Sequence, residues 1–344
     1  MTPTLNVGII GAGRIGRVHA KHLAFQIPRA ALSVVADVDE AAARDCAQQV
    51  DAPDAVQDYR AVLEDATIEA VVICSSTDTH AEIIEAAAAA GKHIFCEKPI
   101  AFTLPEIDRA LEAVERAGVK FQVGFNRRFD PSFRRVREAV VQGEVGDPHL
   151  LHLISRDPAP PPLDYIRSSG GLFFDMTIHD FDMARFLVGS EVEEVYTAAA
   201  VRVDPAIEAA GDLDTALITL QFENGVMGTI DNSRKAVYGY DQRAEVFGSG
   251  GRVQSSNHYP NTAVVSSGTH VRRDLPLNFF MERYVESYRV EMEAFVAAVL
   301  EDAPVPVGGT DGRVSVVMSE AARKSYDEHR PVRLAEIEDE VVYD

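Results

Sequence analysis

Leu5-Asn6-Val7-Gly8-Ile9-Ile10-Gly11-Ala12-Gly13-Arg14-Ile15-Gly16 decides the fold. An apolar, β-branched run leads straight into G-x-G-x-x-G, and a segment of helical character follows. Gly11 permits a tight turn, Gly13 lets backbone amides approach a pyrophosphate, Gly16 allows the helix to pack close on the strand, and the helix N-terminus favours negative charge. The glycines alone are a weak signal; their context between strand and helix makes them specific. Arg14 and Ile15 lie inside the same cradle. Asp37 closes the next apolar run, 21 positions after Gly16. A carboxylate there accepts hydrogen bonds from both adenosine ribose hydroxyls and repels a 2′-phosphate, so the pattern predicts NAD rather than NADP.

Working outward, apolar runs at 32–36, 70–74, 93–96 and 120–123 alternate with Ala-rich stretches of helical character. This alternation predicts βαβ units and a doubly wound parallel sheet, an α/β Rossmann domain over residues 1–124. Thr79 with Glu82, and Thr103 with Glu106, have capping-box spacing, and Gly91 and Gly118 stand where the two helices should stop. Ser75, Ser76, Thr77 and His80 follow a predicted strand end, where open α/β sheets bind ligands, and are expected to face the cofactor.

After Gly124 the texture changes. The prolines at 158, 160, 161 and 162 form a loop, a helix is expected over about 172–187, and strand-like runs fill 192–273. Consecutive strands with short turns such as Glu223-Asn224-Gly225 predict a large, mostly antiparallel open sheet. Residues 125–344 therefore read as an α+β domain for substrate binding and oligomerisation, whose last helices, near 285–300 and 312–329, are candidates to pack back on the first domain.

The chain of 344 residues is 46% hydrophobic and 25% charged, which excludes disorder and fibres. Its net charge of −21 opposes nucleic acid and anionic membrane surfaces. No apolar run is long enough for a membrane span. Cys46, Cys74 and Cys96 lack metal-type spacing and read as buried, reduced thiols. The first ten residues lack signal-peptide character. A cytoplasmic location is expected.

Two further features carry chemistry. Lys98 follows a strand, where its compact ammonium can polarise a substrate hydroxyl beside a nicotinamide. Asp175 and His179 are four apart, so on an α-helix they share a face, and a carboxylate beside the imidazole orients it as a proton acceptor; Asp182 lies three further on. The spacing is not that of a metal site, and none is expected.

Glu97-Lys98-Pro99, the glycine motif and the run Gly170-Gly171-Leu172-Phe173-Phe174-Asp175-Met176-Thr177-Ile178-His179-Asp180-Phe181-Asp182 together resemble the glucose-fructose oxidoreductase, inositol dehydrogenase and MocA family, most closely its inositol 2-dehydrogenases. The likeness runs through Tyr238-Gly239-Tyr240-Asp241 to the terminal helices. It implies that Lys98, Asp175 and His179 are catalytic, that Glu97 and Lys98 border the cofactor, and that Asn126, Arg127, Asp157, Asp182 and Tyr240 line a polyol pocket. It further implies a homotetramer joined through the open sheet. The expected reaction is NAD-dependent oxidation of a cyclic polyol hydroxyl to a ketone. Open beside it are a family dehydrogenase acting on a sugar, sugar acid or anhydrosugar, an NAD-dependent glycosidase, and a non-catalytic NAD-binding sensor.

Overall fold

The computed structural model describes residues 3–341 and divides into two compact units. One contains the chain up to Phe129 together with Glu286–Val316; the other contains Asp130–Val285 and the chain from Val317 on.

The first unit alternates strand and helix: β1 (Leu5–Ile10), α1 (Arg14–Phe25), β2 (Ala30–Ala36), α2 (Glu40–Gln49), β3 (Asp54–Val56), α3 (Tyr59–Glu64), β4 (Ala70–Ile73), α4 (Thr77–Ala89), β5 (His93–Glu97), α5 (Leu104–Ala117) and β6 (Phe121–Gly124). The strands form one sheet in the order β3-β2-β1-β4-β5-β6, and every pairing is parallel. Parallel strands covered on both faces need near-continuous apolar runs; Leu5, Val7, Ile9, Val72 and Phe95 are all buried. β3 is missing from the sequence reading because three residues show no periodicity; pairing of Val34 to Asp54 and Ala36 to Val56 holds it.

Helix ends follow local chemistry. Gly118 closes α5 at φ 64°, its N–H bonded to the Val114 and Glu115 carbonyls, a conformation in which Gly pays no Cβ penalty. The capping box expected at Thr79 does not form. α4 starts three residues earlier, with Ser76 at the cap position; the Thr79 hydroxyl meets Ser75 and the Ser76 carbonyl, and Glu82 accepts from Tyr59.

The second unit contains α6 (Pro131–Val141), β7 (Pro148–Arg156), α7 (Leu163–Ser168), α8 (Ile178–Val188), β8 (Val192–Ala200), α9 (Pro205–Ala209), β9 (Thr215–Phe222), β10 (Met227–Ser233), β11 (Asp241–Gly248), β12 (Gly251–Ser255), β13 (Val264–Ser266), β14 (Val271–Arg273) and α10 (Phe280–Arg283). Then come α11 (Val285–Leu300), α12 (Gly309–Glu328), β15 (Val332–Arg333) and α13 (Leu334–Val341). α11 from Glu286 on, and α12 up to Val316, belong to the first unit. A seven-stranded sheet runs β12-β11-β7-β10-β9-β8-β15. It is antiparallel except where β7 meets β10. Alternation along each strand buries Leu151, Val195, Ile218, Leu220, Ile230 and Val246 on one face and leaves Tyr196, Leu217, Met227 and Phe247 exposed on the other. Among the described residues no helix is long and apolar enough to cross a membrane.

Candidate active site

In the first unit the chain leaves β1 at Gly11 with φ +105°, where a Cβ would lie 2.5 Å from the Cys74 backbone. At Gly16 a Cβ would sit 1.9 Å from the Gly11 carbonyl oxygen, so close packing of α1 demands glycine. A Cβ at Gly13 would meet nothing within 4 Å, and no side chain caps α1. A helix N-terminus facing open space is a ready anion site. Arg14 is exposed and Ile15 half-buried on this first turn. Asp37 accepts from the Ala12 N–H at 2.6 Å through Oδ2 and from the Asp39 N–H at 2.9 Å through Oδ1. A carboxylate has about four acceptor positions, so capacity for ribose hydroxyls remains. The cradle, the uncapped helix start and the carboxylate fit NAD.

Lys98 is half-buried directly after β5, and the Lys98–Pro99 peptide is cis. His80, expected to face the cofactor, is only 1% exposed. Its Nδ1 lies 2.9 Å from the Pro99 carbonyl and its Nε2 3.1 Å from the Ser75 carbonyl. The ring thus ties the Ser75–Thr77 turn to the turn carrying Lys98. Burial pulls its pKa down, and the neutral ring donates to one carbonyl at a time. Glu97, expected beside the cofactor, has its Oε1 2.8 Å from Nε2 of the buried His19. Asn126 and Arg127 are buried in a 3₁₀ turn, Asn126–Phe129, that follows β6.

In the second unit Asp157 follows β7, its N–H bonded to the Ser233 carbonyl. Gly170 and Gly171 both have φ +81°, and a Cβ on Gly171 would lie 2.6 Å from Oδ1 of Asp212, which accepts the Leu172 N–H at 2.9 Å. The chain then makes a π-turn over Phe173–Thr177 before α8 begins. Asp175 sits in that π-turn, whose wider winding runs straight into α8, so it lies about one turn before His179. Such π segments are frequent at functional sites. Oδ1 of Asp175 accepts the Tyr165 hydroxyl at 2.9 Å, and Oδ2 accepts Nη1 of Arg234 at 2.8 Å. The same Nη1 is 3.6 Å from Asp157. Arg234 is 2% exposed, and its Nε and Nη2 have no hydrogen-bond partner among the described residues. Burial opposes its charge, but Asp175 and Asp157 outweigh that and raise its pKa. His179 is half-buried at the start of α8; Asp182 and Tyr240 are buried, with the Tyr240 ring edge-on to Tyr284.

Residues 5–125 match the model of an oxidoreductase family with an NAD-binding Rossmann fold, and residues 133–254 match the GFO/IDH/MocA C-terminal domain. The chain belongs to the GFO/IDH/MocA oxidoreductase family. Among these oxidoreductases it is similar to a myo-inositol 2-dehydrogenase of Thermotoga maritima, 48% identical over 97% of this chain and 99% of that one. It is also similar to an inositol 2-dehydrogenase of Rhizobium meliloti, 46% identical over 96% of this chain and all (100%) of that one. A solved scyllo-inositol dehydrogenase of Lactobacillus casei, with NAD(H) and scyllo-inositol bound, superimposes with a TM-score of 0.90 at 31% identity, covering 96% of this chain and 99% of that one.

For this family member the structure adds Arg234 and Tyr165 to the neighbourhood of Asp175; sequence reading missed both. The available signal was Ser233-Arg234-Lys235 closing a strand, and a basic pair at a strand end ordinarily reads as solvated surface.

Proposed function

We propose that the protein oxidises a ring hydroxyl of a neutral cyclic polyol, with an inositol as the leading case, to the ketone with NAD⁺. The observation that carries this is identity of 46–48% across essentially whole chains to inositol 2-dehydrogenases. NAD⁺, when bound, supplies the hydride acceptor. The Gly11–Gly16 turn and the start of α1 hold its pyrophosphate, and Asp37 its adenosine ribose, with Ser75, Ser76 and Thr77 beside it. Lys98 polarises the reacting hydroxyl, and His179 takes its proton. Asp175, held by Tyr165 and Arg234, keeps negative charge next to the imidazole as it becomes imidazolium. Asn126, Arg127, Asp157, Asp182 and Tyr240 contact the remaining hydroxyls, where deleting a bonded hydroxyl leaves a buried group unpaired.

NADH formation is measured with myo-, scyllo- and chiro-inositol, glucose, gluconate and a sugar phosphate. An inositol should be best, and NADP⁺ should lower kcat/KM by about 10²-fold through repulsion at Asp37. An acidic sugar ahead of every inositol by about tenfold overturns the polyol reading in favour of sugar-acid oxidation. We also propose a cytoplasmic homotetramer. Three free cysteines suit a reducing compartment, and Tyr196, Leu217, Met227 and Phe247 leave an apolar sheet face exposed for a second copy.

A further inference from the structure

α11 carries Glu291 into the interior of the first unit, where it is wholly buried. Neither of its carboxyl oxygens has a hydrogen-bond partner among the described residues. It forms a set with His19 of α1 and Glu97 of β5, with one side-chain donor or acceptor atom from each lying within 4.8 Å of the others. The surroundings are aromatic: the His19 ring stands edge-on to Phe95 at 5.1 Å and to Tyr288 at 5.9 Å, and Phe95 stands edge-on to Phe295. The Gln122 amide donates to the Glu291 backbone carbonyl at 3.0 Å, fixing this turn of α11 against β6.

Two carboxylates this close in a dry site repel each other, and neither gains back the hydration it loses. Something positive must sit between them. The ionisable groups that face Glu291 are Glu97, His19 and the Cys74 thiol, and the thiol brings no positive charge. A shared metal ion fits poorly. His19 Nε2 and Glu97 Oε1 are 2.8 Å apart, the length of an N–H···O hydrogen bond, so this pair is joined without a metal. A proton is the remaining species, and one carried by His19 would serve Glu97, to which His19 Nε2 is already bonded, while both Glu291 oxygens stay without a hydrogen-bond partner among the described residues. Burial, with Glu97 adding to it, moves the Glu291 carboxyl well above the usual carboxylate range.

We infer that Glu291 is held as a neutral carboxylic acid that faces the Glu97 carboxylate, and that it is a positioning residue for the Glu97-Lys98-Pro99 turn. Glu97 immediately precedes Lys98. With His19 and the neutral Glu291 behind it, and the His80 ring on the Pro99 carbonyl, the turn is fixed on both sides of the lysine. An ionised Glu291 would instead push α11 away from the end of β5. The link to turnover rests on the role proposed above for Lys98; the protonation state does not.

The test compares Glu291→Gln, which keeps shape and neutrality, with Glu291→Ala in the full-length protein. Glu291→Gln should keep kcat within about threefold, while Glu291→Ala should lower kcat by about tenfold or more at little-changed KM for NAD⁺. Infrared difference spectra at neutral pH, wild type minus Glu291→Gln, should contain the C=O band of a protonated carboxyl. Absence of that band, or a Glu291→Gln variant as impaired as Glu291→Ala, overturns the inference. So does stoichiometric metal in the purified wild type that Glu291→Gln loses. If Glu291→Ala does not fold, Glu291→Gln and the infrared band decide. If no polyol is oxidised, the band and NADH-binding fluorescence still report on Glu291, separating this inference from the reading of the substrate.

Discussion

At the residue scale the chemistry depends on a few groups whose surroundings differ sharply. Lys98 is half-buried at a strand end, and removing its ammonium deletes the polarising charge without touching the glycine turn. Lys98→Ala should lose about 10³-fold in kcat while calorimetry still detects NAD⁺ binding; activity within a few-fold of wild type would remove Lys98 from the mechanism. Arg234 is one of the two residues that the structure adds beside Asp175. Its Nη1 alone serves Asp175 and approaches Asp157, and the shorter, more strongly hydrated lysine ammonium does not hold a charge at that buried point as well. Arg234→Lys should lower kcat/KM by about 10²-fold with the fold retained. Arg234→Met, by removing the cation beside the half-buried Asp175 and Asp157, should destabilise by about 1–2 kcal/mol. Steady-state kinetics and thermal melts read the two effects separately.

At the scale of elements, α1 links the glycine turn to the buried interior. Its first turn is the uncapped end after Gly13; its next turns bury His19 and His22. Burial, with His19 close by, lowers the His22 pKa to about 4, below the ordinary value of about 6.5 that it regains on unfolding. Between these values the unfolded chain binds the extra proton, so stability is complete above about pH 6.5 and falls as pH drops towards 4. Urea midpoints of wild type and His22→Gln should therefore converge or cross on acidification, with a slope difference of up to about 1.4 kcal/mol per pH unit. Parallel pH profiles would show that His22 does not titrate this way. The same element scale explains why Thr79 misled: capping-box spacing recurs within a helix as easily as at its start, and only the position of Ser76 after β4 sets where α4 begins.

For the whole molecule, a net charge of −21 keeps copies apart by repulsion, so any assembly needs a face where apolar area outweighs charge. The exposed side of the seven-stranded sheet, with Met227 opposite Gln221 and Tyr196 opposite Thr219, is the face we propose for it. Met227→Glu combined with Tyr196→Glu should reduce the mass measured by light scattering from the proposed tetramer to smaller species. An unchanged tetramer would place the interface elsewhere.

The sequence by itself determined what is local. A strand, three glycines, a helix and Asp37 are read from consecutive residues because turn geometry, helix start and strand end are all short-range, and the same holds for Lys98 after β5 and the consecutive antiparallel strands β8, β9 and β10. Tertiary structure decided what depends on contacts between distant segments. Arg234 reaches Asp175 from 59 positions away, and Glu291 joins His19 and Glu97 from the far end of the chain. The π-turn at Asp175 and the inward turn of His80 are likewise settled by packing. In each case burial removes the competing hydrogen bonds of water, so the partner that long-range packing supplies fixes where the side chain goes and what charge it carries.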